Sequence, residues 1–133
     1  MHIERLGEVK EAYKERKQLE GIIAMFENMR ISPRGAVYGA ERVQTSARGD
    51  IQPDNIAKID ELLECYNAKL TECLDLIAEF EDALERLLPR ERMLMRYYYI
   101  HGQTLERICW HMNLSWTNMH RIKKSAIRKI TQE

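Results

Sequence analysis

Between residues 54 and 88 the apolar side chains keep one register. Ile56, Ile59, Leu63, Tyr66, Leu70, Cys73, Ile77, Phe80, Leu84 and Leu87 are spaced alternately by three and four residues. Such an a/d repeat, held over more than four heptads, specifies a long helix with one greasy seam. Asp54 is a fitting N-cap with Pro53 before it, and Pro89 ends the run. At 1.5 Å per residue a helix over 54–88 is roughly 50 Å long. Its seam must be covered, either by another part of the chain or by a second copy.

One candidate cover lies upstream. Residues 3–30 are helical in pattern, with Leu6, Val9 and Tyr13 in one stripe and Leu19, Ile22, Ile23, Phe26 and Met29 in another. The intervening Lys14-Glu15-Arg16-Lys17 breaks the stripe or marks its drift around the helix. Folded back antiparallel, this helix reaches roughly 40 Å along the seam. The connection, 31–53, holds two Pro and three Gly and no sustained period, so it reads as a loop. Arg42-Val43-Gln44-Thr45-Ser46 within it has the composition of a short extended piece.

The chain is long enough for about one domain. Its 44% apolar residues suffice for a core, and few Gly and Pro argue against an all-β fold. No apolar run approaches the roughly 20 residues of a membrane span. The charged N-terminus lacks the apolar stretch of a signal peptide, so a cytoplasmic protein is expected. Cys65, Cys73 and Cys109 are odd in number and form no CxxC pair; reduced thiols are expected, with no metal site.

The zero net charge hides a split. Residues 89–133 carry nine Lys/Arg against three acids, a net +6, whereas 54–88 carry ten acids against three bases, a net −7. A polyanion is the natural ligand for the cationic end.

That end is organised as three short helices. Residues 90–100 form the first, with Leu94, Tyr97 and Tyr98 inward and Gly102 as its stop. Thr104 caps a helix to about Met112, and Ser115 caps another to about Ile130. The three residues between them give helix-turn-helix spacing. Leu105, Ile108, Met112, Leu114, Met119, Ile122, Ala126, Ile127 and Ile130 supply a small core. The predicted architecture is therefore all-α: an antiparallel helical hairpin or coiled coil over 1–88 (helices about 3–30 and 54–88, loop 31–53), then a trihelical DNA-binding domain over 89–133.

The outward residues of the last helix fit a major groove. Trp116, Thr117, Asn118, His120 and Arg121 stand on its first turns, where a recognition helix reads base edges. Arg can bond guanine O6 and N7 together, and Thr can touch a thymine methyl. Arg96, Arg107, Lys123, Lys124, Arg128 and Lys129 are expected to contact phosphates, which position the protein without selecting sequence. Trp116 either packs on sugar and thymine methyl or on a protein partner.

Leu88-Pro89-Arg90-Glu91, Thr104-Leu105-Glu106-Arg107-Ile108 and Ala126-Ile127-Arg128-Lys129-Ile130 resemble region four of sigma-70-type factors, which recognise the −35 promoter element. The likeness covers about a third of the chain. It implies that Trp116, Thr117, His120 and Arg121 contact bases. Trp116 and His120 depart from the arginines usual in that family, so a different site is expected. With Arg42–Ser46, the whole arrangement resembles the small phage and prophage regulators of the ArpU/RinA type. That resemblance implies control of phage late genes, at promoters and with host RNA polymerase, and leaves the partner of Arg42–Ser46 open among DNA, polymerase and its own helices. Two other readings compete: a coiled-coil adaptor or anti-sigma-like protein whose working surface is the seam, and a phage DNA-packaging protein. No Gly-rich phosphate loop, HExxH helix or Ser/His/Asp set is present, so no catalytic residue and no cofactor are expected.

Overall fold

A computed structural model describes residues 1–31 and 53–132. The segment containing Arg42–Ser46 lies outside them. Every element among the described residues is helical: α1 (Ile3–Ile31), α2 (Pro53–Leu84), α3 (Pro89–Met95) continued by a π-helical turn (Arg96–Ile100), α4 (Leu105–Met112) and α5 (Trp116–Thr131). The expected all-α fold, hairpin plus helix-turn-helix, is what the chain adopts.

The chain forms two compact units, one of residues 1–15 and 73–133, the other of residues 16–72. The long helices α1 and α2 each contribute to both.

In the unit of residues 16–72, Leu19, Ile23 and Ile59 are buried, and Ile22, Phe26, Ile56, Leu63, Tyr66 and Leu70 are half-buried. The remaining described positions of α2 in this unit are exposed, as the heptad spacing requires. Phe26 stacks on Tyr66 at 6.0 Å, and Arg30 Nε donates to Asp60 at 2.5 Å. These pairs fix the two helices antiparallel, the hairpin alternative for covering the seam. Met29, expected in the stripe, is 44% exposed. The stripe of α1 does not break at 14–17: Arg16, half-buried, occupies the position between Tyr13 and Leu19. A long aliphatic stem lets an arginine take a place in an apolar stripe.

The unit of residues 1–15 and 73–133 has one continuous core. Leu6, Val9, Phe80, Leu84, Leu94, Met95, Ile108, Met119, Ala126 and Ile130 all belong to it, each at 2% exposure or less. Phe80 sits between Tyr13 (6.3 Å, edge-on) and Tyr99 (5.3 Å). Arg5 pairs with Glu79 at 2.8 Å, and the Tyr13 hydroxyl donates to Glu81 at 2.7 Å. The first turns of α1 and the last turns of α2 are thus the floor on which α3–α5 rest. Burying a side chain like Leu or Phe contributes roughly 1.5–3 kcal/mol, so this shared floor is a large part of the stability of α3–α5.

Two local departures from the sequence expectation have clear causes. The helix expected to reach residue 88 ends at Leu84, and Glu85–Leu87 close tighter turns onto Asp82, Ala83 and Leu84 (3.2, 3.1 and 3.0 Å). Arg92 from the next helix donates to the carbonyls of Leu84 (3.2 Å) and Leu87 (3.1 Å), satisfying acceptors that a helix end leaves open. Leu87 stays buried although it is no longer helical. Further on, Tyr99 is buried, whereas Tyr97 and Tyr98, expected inward, are half-buried. The π-turn is the reason. The His101 amide donates to the Arg96 carbonyl (3.1 Å), five residues back, and a wider turn takes more residues per revolution. The inward position therefore slips along the chain to Tyr99. Burial, and then the neighbouring Tyr98, push the Tyr99 hydroxyl up to about 12.

Candidate nucleic-acid interface

Each turn of the helix-turn-helix is set by local chemistry. Gly102 has φ 63°, a left-handed conformation that glycine adopts without strain, and so stops the π-turn. The Thr104 hydroxyl then accepts from the Arg107 amide at 3.3 Å, and α4 begins. Asn113 ends it with φ 55° and ψ 48°; asparagine is among the few residues that tolerate this region. The Leu114 amide closes back on the Cys109 carbonyl at 2.9 Å. Ser115 caps α5 by accepting from the Asn118 amide at 3.2 Å.

α5 is sharply two-sided. Met119, Ala126 and Ile130 are buried, while Ile122 and Ile127 pack partly against the core. Trp116, Thr117, Asn118, His120, Arg121, Lys124 and Arg128 are all exposed. Thr117, Arg121, Lys124 and Arg128 follow helical spacing and make one outward ridge. Trp116 lies edge-on to His120, ring centroids 4.7 Å apart. Arg121, Lys124, Arg128 and, on α4, Arg107 have no acidic partner among the described residues.

Three of the cations expected at phosphates are otherwise engaged. Lys129 bonds both carboxylate oxygens of Glu91, at 3.0 and 3.2 Å. Arg96 leans on Glu81 at 3.4 Å. Lys123 is half-buried with its ammonium 5.0 Å from the centre of the Tyr98 ring, whose face also takes Lys10 at 4.2 Å.

The residue pattern and this geometry agree with a family comparison: residues 83–132 match the family model described as Sigma-70, region 4. These C-terminal helices are thus similar to a sigma-70 region 4 domain. Over 93 residues the chain is 27% identical to the transcriptional activator RinA of Staphylococcus phage phi11, an alignment spanning 67% of this chain and 65% of the relative. The chain thus covers just under two thirds of that relative's length. No solved structure matches it.

Within these region 4-like helices, one residue organises the rest. Glu91, only 5% exposed, is the third residue of α3. It reaches back to accept from the Leu88 amide at 3.0 Å. It also accepts from the Ser125 hydroxyl at 2.8 Å and from Lys129, both on α5. Burial alone would raise its carboxyl. The Leu88 amide, the Ser125 hydroxyl and the Lys129 ammonium together outweigh that and hold it below its ordinary value of 4.5. The same carboxylate therefore starts α3 and fixes the back of α5.

Sequence reasoning missed this clamp, although a Glu three residues into a helix is a known capping signal. The far end of α5 is held as well: Arg86 donates to the Gln132 and Ile130 carbonyls (3.1 and 3.5 Å), and the Met1 amino group donates to Ile130 (3.2 Å). Trp110 was also missed. It is 76% exposed on α4, next to His111, which stacks on Tyr97 at 5.6 Å. The spacing Leu105, Ile108, Met112 leaves position 110 outward, so its exposure could have been read.

Proposed function

We propose that this protein is a sequence-specific DNA-binding transcriptional regulator of phage or prophage late genes, acting at promoters with host RNA polymerase. The DNA-binding part is the segment 89–133, with α5 in the major groove. Trp116, Thr117, Asn118, His120 and Arg121 read bases. Arg107, Lys124 and Arg128 lie against phosphates, whereas Arg96, Lys123 and Lys129 are first of all internal contacts. The observation that carries this reading is the cationic ridge of α5, without acidic partners among the described residues and set opposite the buried Met119, Ala126 and Ile130 of the same helix. The region 4 match and the likeness to a phage transcriptional activator support it.

Polymerase contact suits a surface away from the ridge. A groove of about 340 Å³ is lined by Pro89, Arg92, Met93, Arg96, Tyr97 and His101, and Met93 is half exposed beside it. A second copy pairing through the 56–87 seam has to displace α1 or exchange it between chains, because α1 lies on that face in both units. The reading places the protein in the cytoplasm; no helix among the described residues is long and apolar enough to cross a membrane.

The test is selection of binding sites from a random duplex pool with purified full-length protein, followed by affinity against salt. A base-reading, phosphate-contacting protein enriches one motif, and its affinity falls steeply with salt, with a log–log slope near −0.9 per phosphate neutralised. An adaptor working through the seam binds no duplex at low salt. A packaging protein binds duplex but does not enrich promoter motifs.

A further inference from the structure

Trp116 is the first residue of the recognition helix and is half exposed on the side meant for base edges. An indole in that place has unusual chemistry for a base reader. Its ring offers an apolar face and a single donor, where an arginine would offer a fork of donors. The edge-on contact with His120, one turn later at 4.7 Å, favours one placement of the indole. Thr117 beside it adds a second apolar group, a methyl. Behind this pair stand Arg121, Lys124 and Arg128, exposed and without acidic partners. The leading edge of α5 is thus an apolar wedge backed by cations. In the major groove, the apolar feature that distinguishes base pairs is the C5-methyl group of thymine.

We infer that Trp116, held by His120, is a specificity-determining residue that reads thymine C5-methyl groups in the major groove. The inference rests on the DNA-binding reading above and adds to it the chemical group recognised. The protein should therefore discriminate thymine from deoxyuridine, which differs only by that methyl. Cytosine methylated at C5 should be accepted better than cytosine at the same position.

The experiment uses full-length protein and the duplex motif obtained by selection. Each thymine is replaced singly by deoxyuridine, and affinity is read by fluorescence anisotropy at one fixed salt concentration. At one or two positions the wild type should bind about fourfold more weakly for each methyl removed. Trp116→Ala, at an exposed position where folding is not at stake, should bind thymine and deoxyuridine equally at those positions. Trp116→Phe should keep part of the discrimination. In a Trp110→Phe background, where Trp116 is the remaining indole, its emission should change on addition of the selected duplex and change less with the deoxyuridine version. Wild-type protein that binds every deoxyuridine duplex as tightly as the parent overturns the inference, as does Trp116→Ala protein that keeps the thymine preference. Either outcome leaves duplex binding itself intact. Failure of the wild type to bind any duplex at low salt overturns the DNA-binding reading, and this one with it.

Discussion

Replacing Glu91 with alanine should cost the protein about 3 kcal/mol. The carboxylate is almost fully buried and holds three donors at 2.8–3.2 Å. Hydrogen bonds to a charged group are worth about 1.5–3 kcal/mol each. The Leu88 amide and Ser125 hydroxyl, taken at the low end, account for about 3 kcal/mol. Lys129 is 38% exposed, and solvent screening limits its share to under about 1 kcal/mol. Glu91→Gln keeps the shape and one acceptor oxygen but loses the charge, so about 1–2 kcal/mol is expected. Urea unfolding followed by far-UV dichroism reads both, with an exposed control, Asp75→Ala, expected within about 0.5 kcal/mol of wild type. The pH dependence gives a second check. A carboxyl held low in the folded state contributes stability that is fully present above its unfolded value and lost as pH falls through the folded one. The gap between wild type and Glu91→Gln should therefore be widest near neutrality and close as the solution is acidified past 4.5. Should Glu91→Ala unfold at the same urea concentration as the Asp75 control, or should the gap to Glu91→Gln ignore pH, the clamp is wrong.

Three further outcomes are expected. Lys124→Ala and Arg128→Ala should each flatten the log–log salt dependence of duplex binding by about 0.9, and Lys129→Met should leave that slope unchanged because its ammonium is held by Glu91. Arg121→Ala should weaken binding to the selected motif by about 1–3 kcal/mol and relax one base position; an equal loss on every sequence, read by repeating the selection, would make it a phosphate contact. Residues 89–133 expressed alone should show poorly dispersed amide proton resonances, since they lack Leu6, Val9, Phe80 and Leu84; in the full chain Phe80→Ala should cost about 3–5 kcal/mol in urea unfolding.

What could be read in advance was whatever depends on neighbours in sequence. The 56–87 seam, the Thr104 and Ser115 caps, the stop at Gly102 and the two faces of α5 all follow from residues within a turn or two of each other. Leu94, Ile108, Met119, Ala126 and Ile130 were identified as core on that basis. Contacts between distant segments were not legible. Glu91 meets Ser125 and Lys129 across 34 and 38 residues, and no local period announces it. Arg92 closes the end of α2, so the helix stops before the proline that was expected to stop it. One wide turn was enough to exchange Tyr97 and Tyr98 for Tyr99 as the inward ring. The compact units escaped notice for the same reason, because α1 joins residues nearly the whole chain length away.

That noncontiguous unit can be treated as a protein in its own right. In α1 and α2, Glu15 and Cys73 lie side by side, the thiol sulfur 3.6 Å from a carboxylate oxygen. Antiparallel helices are commonly joined by about 2–8 residues. Excising 16–72 and bridging Glu15 to Cys73 with a short glycine-containing turn should yield a miniature that keeps the whole core under α5, suited to crystallisation with a selected duplex.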